Sequence, residues 1–470
     1  MKVKKTIAYT MGDLIQRTSL EDMDERTRHR GKMCIMDMLG VILAAWPEES
    51  TQILYRVIKR HGGLKESSVL GAGDFLPAAH AALINSAMAH SLELEDHHSH
   101  TRSLNHPGVC TIAPALAISE RENNSGRDFL TAVILGYEIG SRISAATRLG
   151  VMNLERGFHE SSICGPFSAA TATGKLMAAN PDVLANAMGI CGSTAAGSME
   201  FKSNEAWSKR FQVGNAARNG ILALELAREG FTGPTTIFEG RHNFFHSYVH
   251  EGNYELSGIL RDWGASWDIN FIQYKPFACA GVLHSAVTAA RQLHIRDDFD
   301  PRQVKRIVIK TATKIIEEYA MPAKEKKAPH SPVGAQFSLQ YSVAVMLKKG
   351  RALVEEFQEK SIHDPDVLRL AALVEVEADP TIDKGWPAQD PTEIMITLKN
   401  GRMLTASVSE AKGDLNNPVT DAELFNKFRN LVLPFFGRDN TERAIEMIMQ
   451  IERLADIKAL STLFRQAPQT

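Results

Sequence analysis

Ile394-Met-Ile-Thr-Leu398-Lys-Asn400-Gly401-Arg-Met-Leu404-Thr-Ala-Ser-Val408 sets two alternating apolar runs on either side of an Asn-Gly pair. Asn-Gly suits the tight turn of a hairpin, and alternation at period two buries one face of a strand, so the stretch predicts a β-hairpin. A short run at Val304, Ile307, Val308 and Ile309 predicts a further strand. Helical periodicity fills the gaps, at about 281–293, 336–347 and 365–373, and the whole reads as a small α+β domain.

On both sides of it the texture is helical. From residue 12 to about 265 apolar side chains recur at three and four among many alanines, as over 131–149 and 167–177. A helix is expected over about 216–229, lined by Ile221, Leu222, Leu224, Leu226 and Ala227, with Gly230 suited to its C-terminal cap. After Asn417-Pro418, Leu424, Phe428, Leu431 and Val432, then Ile445, Ile448, Ile451 and Leu454, mark amphipathic helix again. The expected fold is mainly α: a large all-helical domain formed by both chain ends (1–268 and 415–470), with a smaller α+β domain (269–414) inserted. The polar stretch 321–332, with Lys324, Lys326 and Lys327 between prolines, is expected to be a mobile loop.

Composition narrows the function. In 470 residues, an apolar fraction of 44% and a charged fraction of 23% place the chain among ordinary soluble globular proteins, with two domains as the expectation. A net charge of -2 gives no basic face for nucleic acid. The most apolar stretch, 33–46, is interrupted by Asp37 and falls short of the roughly 20 residues that span a bilayer. The N-terminus has basic residues but no continuous apolar run behind them, so a secretory signal is not expected and a cytoplasmic location is. Five cysteines, widely separated and without a Cys-x-x-Cys pair, exclude zinc-finger and iron–sulfur patterns and read as buried thiols. Gly71-Ala-Gly73-Asp74 lacks the third glycine of a dinucleotide fingerprint and the lysine of a P-loop.

Chemistry concentrates between His90 and Gly108, where His90, His97, His98, His100 and His106 stand beside Glu93, Glu95, Asp96 and Arg102. Imidazoles next to carboxylates and a guanidinium can hold an anionic substrate and move a proton near neutral pH, so an enzyme is the leading reading. His97, His98 and His100 with Asp96 have ligand-type spacing, but no pair of histidines at i and i+4 on one helix supports a metal, and His97 and His98 read better as a solvated loop. Pro107 and Gly108 fix the backbone after His106, whose imidazole serves either catalysis or the core. Gly157-Phe158-His159 precedes a small-residue helix, which puts an imidazole at a helix N-terminus with Ser161 and Ser162; an ordinary cap is the alternative. Lys209 and Arg210 lie a short loop before the helix from Ala216, as carboxylate-binding cations or a charged surface turn. Lys275 and His284 bracket a cysteine-containing segment at the start of the second domain, where a cleft between domains would close.

Taken together these segments resemble the MmgE/PrpD family, whose members include 2-methylcitrate dehydratases, cis-aconitate decarboxylases and an iminodisuccinate epimerase. The similar pieces are Ala89-His90-Ser-Leu-Glu93 with Glu95-Asp96, His106-Pro107-Gly108, Gly157-Phe158-His159, Lys209 with Gly214-Asn215-Ala216-Ala217, Gly230-Phe-Thr-Gly-Pro234, Glu239-Gly240, and Lys412-Gly413-Asp414 with Asn417-Pro418. The resemblance implies that the α+β domain is a lid, that the protein is a homodimer, and that no metal or organic cofactor takes part. It also carries the site between the two domains onto Glu93, His106, His159, Lys209 and Lys275, with His284 and Tyr319 as further substrate contacts. Two departures stand out: Glu93 replaces a common aspartate, and Ala280 stands where one decarboxylase subgroup has a histidine.

Members of this family handle a proton or carboxylate next to another carboxylate. Lys209, with Lys275 and Arg102, is therefore expected to bind substrate carboxylates and stabilise developing charge, and His159 or His106 to act as acid/base. The leading expectation is a cofactor-independent lyase of the dehydratase type acting on a small di- or tricarboxylate. A cis-aconitate-type decarboxylase or an iminodisuccinate-type epimerase comes next, then a catalytically silent dimeric binding protein, and last a metallohydrolase.

Overall fold

The computed structural model describes residues 5–99 and 102–465. Its first helices are α1 (Ile7–Arg17), α2 (Glu25–Ala44), α3 (Glu49–Lys59), α4 (Ala78–Ala89), α5 (Ile112–Glu122) and α6 (Gly126–Ala145). They are followed by α7 (Glu160–Leu176), α8 (Pro181–Thr194), α9 (Phe201–Asn204), α10 (Ser208–Arg228), α11 (Phe244–Val249) and α12 (His284–His294). The chain is mainly α.

At the centre of the helical part α10 packs on both α4 and α7, with α6 on the far side of α7. Two glycines make the crossings close: a Cβ on Gly214 of α10 would lie 2.4 Å from the Leu83 carbonyl oxygen of α4, and one on Gly220 would lie 2.5 Å from Cβ of Ala169 on α7. The apolar stretch at 33–44 is buried along α2. Against it lies the helical segment Asp421–Met449, which is capped by Thr420 and Glu423 and broken where Gly437 takes a φ of 74°. Lys427 meets Asp37 at 2.6 Å and Lys32 meets Glu452 at 2.8 Å, so the two ends of the chain are stapled together.

Between these ends stands a four-stranded sheet of order β6-β5-β7-β8, made of β5 (Val304–Thr311), β6 (Val374–Ala378), β7 (Thr392–Leu398) and β8 (Met403–Val408). β5 runs parallel to β6 and antiparallel to β7, pairing Ile309 with Val376 and Ile394. The expected hairpin is β7–β8, with Gly401 at a φ of 86° in its turn, and burial alternates along β7 as its apolar period requires. Two short antiparallel pairs complete the strands: the hairpin of β1 (Ser67–Val69) with β2 (Asp74–Leu76), and β3 (His97–His98) with β4 (Ile272–Gln273), far along the chain.

Three local readings change. The helix expected from 216 begins at Ser208, because the small residues Gly214, Ala216 and Ala217 that pack against α4 hide its apolar period at that end. Lys209 therefore sits in the first turn of α10 and not in a loop before it. His97 and His98 are buried and not solvated, since they pair with β4, the His98 N–H donates to the Asn105 carbonyl at 2.8 Å, and Ser103 and Asp268 hold the His98 ring at 2.8 and 3.2 Å. The stretch 321–332 contains a helical turn, Ala323–Lys327, and is tied down where Lys326 donates to the Phe337 carbonyl at 2.9 Å and Ser331 to Glu205.

Candidate active site

Three of the central helices each deliver one chemical group to the same place. His90 is the C-terminal cap of α4, His159 is the N-terminal cap of α7, and Lys209 lies in the first turn of α10. The N-terminal ends of α7 and α10 bring partial positive charge to this point and the C-terminal end of α4 partial negative charge. Glu93, His106, His159, Lys209, Lys275 and Tyr319 line one cavity there.

A buried ion cluster forms its charged wall. Lys209 Nζ pairs with Glu93 Oε1, while Lys275 Nζ lies 3.4 Å from Glu93 Oε2 and 3.0 Å from Glu95 Oε1. Glu93 is 5% exposed and Lys275 only 1%, and charges this far from water persist only when paired. Burial pushes the Glu93 carboxyl up, but Lys209 and Lys275 outweigh it and hold the group below the usual carboxylate range. For Glu95, Lys275 and then His90 overcome the same burial and hold it well below that range. Burial lowers Lys209 despite Glu93, whereas Glu95 and Glu93 together overcome burial and raise Lys275. Glu93 also takes a φ of 52°, a left-handed conformation that non-glycine residues adopt at a cost of about 1 kcal/mol or more and that gathers at functional sites.

Beside the ions runs a chain of imidazoles. His90 Nδ1 is 3.0 Å from Glu95 Oε1, and His90 Nε2 is 3.2 Å from His159 Nε2, the two rings lying parallel within 5°. Gln212 Nε2 donates to the Ser198 carbonyl at 2.9 Å, which orients the amide so that its Oε1 accepts from His159 Nδ1 at 2.9 Å. These partners assign the Nδ1–H tautomer to His159, leaving its Nε2 to face His90 Nε2. His106 Nδ1 likewise donates to the Asp96 carbonyl at 2.9 Å, and its backbone N–H donates to Ser161 Oγ at 2.9 Å. Burial, with Lys275 for His106 and with His90 for His159, holds both imidazoles well below their ordinary pKa, so both are neutral at pH 7.

Behind His106, Asp96 Oδ2 accepts from the Tyr137 hydroxyl at 2.5 Å, and burial followed by the nearby Asp37 pushes its carboxyl up to about 8. Lys427 donates to the Leu94 carbonyl at 2.7 Å while it pairs with Asp37. The loop carrying Glu93, Glu95 and Asp96 is thus anchored to the C-terminal helical segment.

The other expected residues lie elsewhere. Arg102 pairs with Asp268 at 2.9 Å over the Phe271 ring and lines a different cavity with Arg142 and Arg261. His284 starts α12, where its Nε2 bonds the Cys279 carbonyl at 3.3 Å and its ring meets the edge of Phe277, outside the cavity lining. His97 does line the cavity, 5.9 Å from the His106 ring. Among the described residues no group of three His, Cys, Asp or Glu can hold a metal ion, and His100 lies outside the described residues.

Sequence reasoning counted His90 in the histidine-rich run without singling it out and gave no role to Gln212, Lys202 or Lys314. Gln212 follows Lys209 by three residues and shares its helix face, a relation that becomes visible once α10 starts at Ser208. Lys202 sits on the one-turn helix α9, which has no period to read, and its Nζ pairs with Glu318 at 3.3 Å and covers the Tyr319 ring at 5.1 Å. Leu154, Phe201, Ala280, Val282, Phe337 and Trp386 supply apolar lining.

A profile described as the MmgE/PrpD N-terminal domain matches residues 10–257, and one described as the MmgE/PrpD C-terminal domain matches residues 277–453. The cis-aconitate decarboxylase of Aspergillus terreus is 28% identical over 411 residues, covering 84% of this chain and 83% of its own. The cis-aconitate decarboxylases of Homo sapiens and Mus musculus are each 26% identical, over 98% of this chain and 95% and 94% of theirs. With both domain profiles matched in order along the chain that builds this cavity, the protein belongs to the MmgE/PrpD family of enzymes.

Proposed function

We propose that the chain is a cofactor-independent decarboxylase acting on an unsaturated tricarboxylate of the cis-aconitate kind. The observation that carries the reading is the Lys209–Glu93–Lys275 cluster beside neutral His106 and His159 in one cavity. The names of the three relatives support decarboxylation over the dehydratase that leads the sequence reading.

The chemistry suits these groups. In cis-aconitate one carboxylate hangs on a methylene next to the double bond. When its C–C bond breaks and CO₂ leaves, the bonding pair forms a new terminal C=C, and the old π pair moves to the carbon next to another carboxylate. That carboxylate then carries enolate charge, and a proton must reach the carbon. Lys209 and Lys275 bind carboxylates and stabilise the developing charge; electrostatic preorganisation of this kind is usually the largest catalytic contribution. The proton for that carbon comes from solvent and is carried by the His159–His90 pair, and the ionised Glu95 stabilises the pair while it holds the extra charge. His106, fixed by Asp96, polarises the reacting end. Tyr319 lines the cavity, stacked on Phe337.

Ala280 puts a methyl group on the lining at the position where one decarboxylase subgroup has a histidine, and this departure, with Glu93, favours the catalytically silent binding protein as the alternative. Proton NMR of the protein with cis-aconitate, 2-methylcitrate, citrate and iminodisuccinate separates the readings. Loss of cis-aconitate to a methylidene dicarboxylate is the expected outcome; dehydration of 2-methylcitrate or inversion of iminodisuccinate with cis-aconitate untouched would overturn the decarboxylase.

To the same proposal belong the division into 1–268 with 415–470 and 269–414 as lid, a homodimer and a cytoplasmic location. Limited proteolysis and sedimentation equilibrium test the first two. Among the described residues no helix is long and apolar enough to cross a membrane.

A further inference from the structure

We propose that Glu93 is an internal rival of the substrate: in the substrate-free protein its carboxylate fills the seat between Lys209 and Lys275, and a substrate carboxylate takes that seat by displacing it. This deepens the tricarboxylate reading and rests on it.

The geometry is that of a bound carboxylate. One oxygen of Glu93 meets Lys209 and the other meets Lys275, so a single carboxylate bridges two ammonium groups that arrive from α10 and from the segment after β4. Of the described residues, Glu93 is the only carboxylate within 4 Å of Lys209 Nζ. All three side chains line the cavity that His106 and His159 also face. Lys275 keeps Glu95 when Glu93 leaves, so the seat loses only one of its two acids and gains net positive charge for the incoming anion.

The backbone is set for a side-chain movement. Leu94 is held through its carbonyl by Lys427, and Glu95 is held by Lys275, so the residues that follow Glu93 stay in place when its carboxylate swings out. Glu93 itself carries the left-handed φ of 52°, a conformation that aspartate and asparagine tolerate better than glutamate. The longer side chain at this strained position is what allows the carboxylate to touch both lysines.

Rivalry lowers affinity by the fraction of molecules whose seat is free. The test is calorimetric binding of propane-1,2,3-tricarboxylate, a saturated ligand with no double bond to react, to wild type, Glu93→Gln and Glu93→Asp at pH 6.5. Glu93→Gln removes the anionic rival, and about tenfold tighter binding is expected. Glu93→Asp keeps the charge but shortens the reach, and about threefold tighter binding is expected, because one carboxylate no longer spans both cations. Tighter binding by Gln with Asp equal to wild type would show a net-charge effect alone and overturn the rivalry. Equal or weaker binding by both variants would overturn it, as would absence of binding by all three, which would also remove the tricarboxylate reading. Tightening in both variants while wild type fails to decarboxylate cis-aconitate would support the rivalry and overturn only the decarboxylase.

Discussion

At the scale of single residues the site divides into groups that the sequence marks and groups that only the fold can mark. His106, His159 and Lys209 stand next to proline, glycine or small-residue helices, and each of those local features constrains where the side chain goes. Gln212 and His90 have no such marker, because their roles exist only across contacts between α4, α7 and α10. Arg102 looked like a substrate cation from its neighbours in sequence, but Asp268, far along the chain, claims it. Replacing His159 by Gln removes a transferable proton while retaining polarity. Turnover should fall by about 10²–10⁴-fold with the thermal midpoint little changed, as steady-state kinetics and circular dichroism will show. Asp96 carries a pH prediction. Its carboxyl is pushed up to about 8 in the folded protein from 3.8, so the unfolded chain releases the proton first. The burden on stability is absent at low pH, grows as pH rises from about 4 and is complete above about 8. Asp96→Asn removes it, and the variant should gain about 2–5 kcal/mol over wild type at pH 8 but much less at pH 5 in denaturant titrations.

At the scale of elements, the hairpin β7–β8 and the long C-terminal helical segment were legible because each has a regular apolar period and a marked turn or cap. The two-residue strands β3 and β4 were not, since a pair of histidines carries no period and its partner lies far along the chain. The early start of α10 was missed for a related reason: small residues that let helices touch are weak signals in a pattern built on large ones. Those contacts also give the site its precision, because α4, α7 and α10 each end in it. Gly214→Val would drive a side chain against the Leu83 carbonyl oxygen, where even a Cβ lies 2.4 Å away. The separation of α4 and α10 should cost about 2–4 kcal/mol by denaturant unfolding, and should reduce turnover more than a surface change of equal stability cost. Thr420→Ala removes an exposed cap and should cost only about 1 kcal/mol with turnover preserved.

At the scale of the whole molecule, both chain ends support the loop that holds Glu93 and Glu95. Asp37 on α2 positions Lys427, and Lys427 holds the Leu94 carbonyl. Truncation before the C-terminal segment should therefore abolish activity along with folding, whereas Lys427→Met should lower turnover and leave a folded protein with an earlier thermal midpoint. Replacing Lys427 leaves Asp37 buried without its cation, so the stability loss should approach about 3–5 kcal/mol.

The measurement that tests the central claim most directly is mass-spectrometric detection of CO₂ from cis-aconitate in D₂O, for wild type and Lys209→Met. Wild type should release one CO₂ and place one deuterium on product carbon for each molecule consumed, and Lys209→Met should do so at least about 10²-fold more slowly. Consumption of cis-aconitate without CO₂, or CO₂ release at the same rate from Lys209→Met, would contradict the account.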